Sequence, residues 1–181
     1  MRLNLLNMAF VILLFTSCRQ DSTIAQEVER LYMTRITFQP NKFLKISNTN
    51  NVICDTHKHY PYSLILYVDS TECTPCWLKS NSPWNHLVDL EQKGEVEFIF
   101  IIQPQKLRIN QLKREYLYSG LRHGIYLDTC ETFINQNKNI PKNNLLHCFL
   151  INDKDSVILV GNPTRHPKLK QMMLDIVENS K

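Results

Sequence analysis

Residues 62–90 limit what this chain can fold into more than any other segment. A nearly unbroken apolar run, Tyr62-Ser63-Leu64-Ile65-Leu66-Tyr67-Val68, leads into Cys73-Thr74-Pro75-Cys76 and then into a stretch of helical character starting at Trp77. An apolar run of this kind reads as a central strand covered on both faces. Two cysteines delivered by a strand to a helix start meet unpaired backbone N–H groups and the positive end of the helix dipole, which favour a thiolate at the first sulfur. The spacing also lets the second thiol close a disulfide, or attack a mixed disulfide, from within the first helical turn. Pro75 suits such a start, where its missing N–H costs nothing.

The N-terminus reads as an export signal over residues 1–18. Arg2 precedes an apolar segment, residues 3–15, that is too short to span a bilayer as a mature helix. It closes on Phe15-Thr16-Ser17-Cys18, which resembles a bacterial lipobox and makes Cys18 the candidate for lipidation. An ordinary cleaved signal, or an uncleaved anchor, with an incidental cysteine is the alternative. Residues 19–33 read as a tether or short helix, with Ile24, Val28 and Leu31 spaced to share one face, and residues 34–181 as a single domain. No later apolar stretch approaches membrane-spanning length, so attachment would rest on the lipid at Cys18. The formal charge of +4 is spread over mixed acidic and basic residues, which makes no case for nucleic acid. Setting Cys18 aside leaves Cys54, Cys73, Cys76, Cys130 and Cys148, an odd set that fits one redox pair with scattered buried thiols better than a disulfide-stapled scaffold.

The element order supports an α/β class. Short strands are expected at residues 35–38 and 51–54, followed by the strong strand at 62–68. A helix over 77–92 should be ended or kinked by Pro83, and Gly94 stops it. A second β-rich run follows at 95–102, then a helix within 106–121, a brief strand at 125–127 and a short helix at 129–136. Residues 145–151 and 157–160 read as a hairpin around Asn152-Asp153-Lys154-Asp155, and 166–179 as a closing helix. The sum is a mixed central sheet with helices on both faces.

With the strand–Cys-Thr-Pro-Cys–helix unit, the hairpin Cys148-Phe149-Leu150-Ile151-Asn152-Asp153-Lys154-Asp155-Ser156-Val157-Ile158-Leu159, and a last helix after Gly161-Asn162-Pro163, the chain resembles the thioredoxin fold. It is most similar to the TlpA-type membrane-anchored thiol-disulfide oxidoreductases. That resemblance implies an envelope protein whose nucleophile is Cys73 and whose resolving thiol is Cys76. Its partners would be disulfides and thiols of exported proteins and an upstream membrane electron donor, with no cofactor and no metal. Thr74, Pro75 and Glu72 are the residues expected to modulate the pair. The departures are specific. Glu72 and Asp69 stand where the family commonly carries aromatics, and acidic groups beside a sulfur oppose a thiolate. Pro83 comes later after Cys76 than the family's helix proline. The family's cis-proline position falls near Leu146, and the nearest proline upstream is Pro141.

Other residues read as structural. Trp77 and Trp84 are expected to pack on the sheet, Lys79 to be solvated, and Cys54, Cys130 and Cys148 to be buried small hydrophobes. His147 beside Cys148 raises a copper-chaperone alternative of the Sco type. Neighbours in a strand point to opposite faces, however, so His147 reads as a core or edge histidine. Two function classes follow: a membrane-anchored thiol-disulfide oxidoreductase, or a non-enzymatic thioredoxin-like lipoprotein module that binds partners and keeps Cys73–Cys76 permanently closed.

Overall fold

A computed structural model describes residues 23–47, 59–80, 82–104 and 109–179. Its elements in chain order are α1 (23–31), β1 (Leu44–Ile46), β2 (Tyr62–Val68), α2 (Thr74–Lys79), α3 (Val88–Lys93), β3 (Val96–Ile102), α4 (Ile109–Ser119), β4 (Ile125–Leu127), α5 (Thr132–Gln136), β5 (Cys148–Asn152), β6 (Val157–Val160) and α6 (Pro167–Glu178).

The strands form one six-stranded sheet in the order β1-β4-β3-β2-β5-β6. At its centre β2 and β3 run parallel, with Leu64 opposite Phe98 and Val68 opposite Ile102, while β5 runs antiparallel to β2 with Phe149 opposite Ile65. Period-two alternation then divides the apolar residues between two cores. Leu64, Leu66, Val68, Phe98, Phe100 and Ile102 face one side and meet Leu78 of α2, Leu112 and Tyr116 of α4, and Met173 and Val177 of α6. Ile65, Tyr67, Ile99, Ile101, Phe149 and Ile151 face the other and meet Leu31 of α1 and Phe133 of α5. A strand buried on both faces must be apolar at every position, which is why residues 64–68 carry no alternation of polarity.

Several local expectations change. Residues 35–38 form no strand; Arg35 makes only an isolated bridge to Ser156, and the first strand is Leu44–Ile46. The side chains in between take another route to burial, as Phe38 and Phe43 stack at 5.2 Å and both meet Tyr126 edge-on. The strand expected at 51–54 lies outside the described residues. Residues 77–92 divide into α2, a tight 3₁₀ segment at Ser82–Leu87 containing Pro83, and α3. Gly94 ends α3 at φ 78°, a left-handed conformation that a Cβ would disfavour. The fifth strand starts at Cys148, because Asn144–Leu146 forms a 3₁₀ turn capped by the Asn143 side chain.

Candidate active site at the start of α2

The C-terminal end of β2 carries the chain through Asp69 into a tight turn. Asp69 Oδ1 accepts hydrogen bonds from the Thr71 backbone N–H, at 2.7 Å, and from its hydroxyl. Such side-chain-to-backbone bonds hold a loop without a strand or helix to support it. Cys73 then caps α2, and Cys73 and Cys76 form a disulfide with their Cα atoms 5.2 Å apart. The Cys76 backbone N–H donates to the Cys73 sulfur at 3.3 Å. A backbone donor at a helix start is therefore aimed at the Cys73 sulfur, where it would favour negative charge.

Both cysteines are exposed, Cys76 as well as Cys73. The short α2 explains the exposure of Cys76. Thr74 and Leu78, four apart, take the buried face, which leaves Cys73 and Cys76, three apart, on the solvent side. Pro75 sits in the first turn, exposed. The buried Thr74 hydroxyl has no hydrogen-bond partner among the described residues.

Two acidic residues, Asp69 and Glu72, precede Cys73 in the turn. Glu72 is half-buried, and burial holds its carboxyl above the usual range; Asp69 adds to the rise, while His147, a backbone hydrogen bond and Arg165 offset part of it. His147 follows Leu146 at the head of β5 and is 3 % exposed, and its carbonyl accepts from the Tyr67 N–H at 2.9 Å. Its Nε2 lies 2.8 Å from the Pro141 carbonyl, and its Nδ1 lies 3.6 Å from Asp69 Oδ2, without a hydrogen bond. Asp69, Glu72 and His147 each offer one donor atom, and these atoms lie within 4.8 Å of one another.

His147 and Cys148 do diverge. Cys148 turns into the core on the α6 side, where burial pushes its thiol far above the ordinary range. Cys130 departs from expectation in being exposed: Asp128 accepts from the N–H groups of Thr132 and Phe133, each at 2.8 Å, to cap α5, and the turn places Cys130 outside. Trp77 packs against Phe100 with centroids 5.6 Å apart, and Trp84 is buried against Phe98 and Phe100, so both tryptophans support the sheet. Lys79 is exposed. No peptide bond among the described residues is cis. Cys18 and Cys54 lie outside the described residues.

No protein-family model and no curated protein sequence matches the chain. Solved structures do. A thioredoxin-like protein in its oxidised form superposes with a TM-score of 0.54 at 9 % identity, over 82 % of this chain and 97 % of that one. A candidate thiol:disulfide interchange protein DsbE from Chlorobium tepidum gives 0.52 at 14 % identity, over 80 % and 99 %. The domain has the thioredoxin-like fold. The thioredoxin domain of a thiol-disulfide oxidoreductase from Bacteroides vulgatus gives 0.51 at 9 % identity, over 78 % and 96 %. At these identities the likeness is one of fold. Within this thioredoxin-like domain, the feature that sequence reasoning missed is the meeting of Asp69 and Glu72 with His147. The two acids stood out as departures beside Cys73, but only the pairing of β2 with β5 brings His147 to them.

Proposed function

We propose that this chain is a thiol-disulfide oxidoreductase of the bacterial cell envelope, attached to the membrane through a lipid on Cys18. The observation that carries the reading is the solvent-exposed Cys73–Cys76 disulfide at the start of α2, with the Cys76 N–H directed at the Cys73 sulfur. The similar structures described as thiol-disulfide proteins share this fold. In the reduced form the Cys73 thiolate attacks one sulfur of a substrate disulfide, and the other substrate sulfur leaves as a thiolate that takes a proton from water. The Cys76 thiolate then attacks Cys73 in the mixed disulfide, re-forming the Cys73–Cys76 bond and releasing the second substrate thiol. Two electrons pass to the substrate. An upstream membrane electron donor returns them.

The test is a reduction potential combined with trapping. An active pair should lie at roughly −120 to −270 mV, and Cys76→Ser should accumulate mixed disulfides that Cys73→Ser does not. A potential below about −300 mV with nothing trapped supports the second reading, a binding module with a permanently closed disulfide. Asp69 and Glu72, acidic groups close to Cys73 in sequence, are the observation that favours it. For attachment, fatty-acid labelling of wild type that is absent from Cys18→Ser is the expected result; equal labelling of both removes the lipid anchor. No helix among the described residues is long and apolar enough to cross a membrane.

A further inference from the structure

We propose that Asp69, Glu72 and His147 form a binding site for one divalent transition cation, with Zn²⁺ the best match to their donors, on the loop that leads into Cys73. The three residues come from two separate parts of the chain, and their donor atoms lie within 4.8 Å of one another. The 3.6 Å between His147 Nδ1 and Asp69 Oδ2 suits two ligands of a single ion at about 2.0–2.2 Å from each.

The imidazole is the deciding member. His147 is 3 % exposed, and its Nε2 faces the Pro141 carbonyl at 2.8 Å, an acceptor that only an N–H can satisfy. In the neutral ring that leaves Nδ1 with its lone pair. Nδ1 has no hydrogen-bond partner among the described residues and lies 3.6 Å from Asp69 Oδ2. A buried lone pair turned toward carboxylates is repulsive unless a positive charge lies between them. The bond from Nε2 to a backbone carbonyl is also how a metal-bound histidine is commonly held in tautomer and orientation. Two carboxylates and a neutral imidazole balance a charge of +2. Hard Ca²⁺ and Mg²⁺ prefer more oxygens and no imidazole, and Cu⁺ prefers sulfur, whereas a mixed oxygen and nitrogen set suits Zn²⁺. Asp69 and Glu72 are only partly buried, so an ion can enter from solvent, and three protein donors leave a position for water.

The experiment is calorimetric titration of the full chain with ZnCl₂, without reductant so that Cys73 and Cys76 stay in their disulfide. A parallel titration with Co²⁺ reads the donor type from absorption. The inference does not depend on redox activity, because binding is measured on the closed disulfide. The expected result is one equivalent bound with a Kd below about 100 μM, about tenfold or more weaker in Glu72→Gln and in Asp69→Asn, and a Co²⁺ spectrum free of sulfur-to-metal charge transfer. His147→Gln should weaken it likewise; because His147 is buried, the two carboxylate variants keep the test standing if that protein fails to fold. Weaker binding by wild type, unchanged binding in both carboxylate variants, or a sulfur charge-transfer band overturns the proposal.

Discussion

Two buried histidines among the described residues, His123 and His147, face carboxylates, and their surroundings differ. His123 is held between Phe98 and Phe100, its Nδ1 is 2.8 Å from Glu91 Oε2, and its Nε2 is 3.4 Å from the Trp84 carbonyl. Both nitrogens have partners, and the pair ties α3 and the Ser82–Leu87 turn to the loop before β4. His147 has a partner at Nε2 alone, and its other nitrogen looks toward two acids beside the cysteine pair. The Thr74 hydroxyl, also buried without a partner among the described residues, lies next to Cys73 in the same part of the molecule. The satisfied histidine belongs to the scaffold, and the one with an open nitrogen lies where chemistry is proposed.

The largest expected difference is in stability. Glu91→Ala should cost about 3 kcal/mol, since it strands a buried histidine, whereas Glu72→Ala should cost less than about 1 kcal/mol. Urea denaturation measures both, and equal losses would break the contrast between a structural pair and a functional cluster. Next in size is the response to metal. Zn²⁺ at about 100 times its Kd should stabilise wild type by about 2.7 kcal/mol. Glu91→Gln should retain that gain and Glu72→Gln should lose it; a gain lost in both would place the ion elsewhere.

A smaller effect is expected at the sulfur. With a chelator present and the disulfide reduced, Glu72→Gln should alkylate at Cys73 about threefold faster than wild type near neutral pH, because a neighbouring negative charge disfavours the thiolate. The sign reverses nowhere, but the advantage should shrink as pH falls and Glu72 gains its proton. Burial raises the Glu72 carboxyl, so the shrinkage should begin at a higher pH than an ordinary glutamate would give. Rates that do not differ at any pH would show that Glu72 leaves Cys73 unaffected. The smallest expected change is Thr74→Val, which removes an unpartnered buried hydroxyl and should leave stability unchanged or raise it by up to about 1 kcal/mol in thermal unfolding. A loss would mean that the hydroxyl has a partner.

Much of the fold was legible because its signals are local and dense. The run at residues 62–68 must be a covered strand wherever it sits, and the hairpin around Asn152-Asp153-Lys154-Asp155 follows from its turn chemistry, with Asn152 Oδ1 accepting from Lys154 and Ser156 N–H groups at 3.0 Å. The error at residues 35–38 arose because a short run with apolar residues also suits an extended segment whose aromatics pack sideways, as Phe38 does on Tyr126. Cys130 was misplaced because composition says that a free cysteine is usually buried, and only the Asp128 cap shows which way that turn faces.

By itself the sequence determined the order of elements, the sheet class and the cysteine pair at a helix start, since each depends on residues within a turn or a strand of one another. Tertiary structure alone decided the exposure of Cys76 and the meeting of Asp69, Glu72 and His147. The first depends on which face of a short α2 the core takes, through Thr74 and Leu78. The second depends on the antiparallel register of β5 against β2, which pairs Cys148 with Leu66 and so carries His147 to the end of the strand where Asp69 begins its turn. Side-chain periodicity is a property of neighbours along the chain, whereas the approach of two distant segments is set by the packing of the whole sheet.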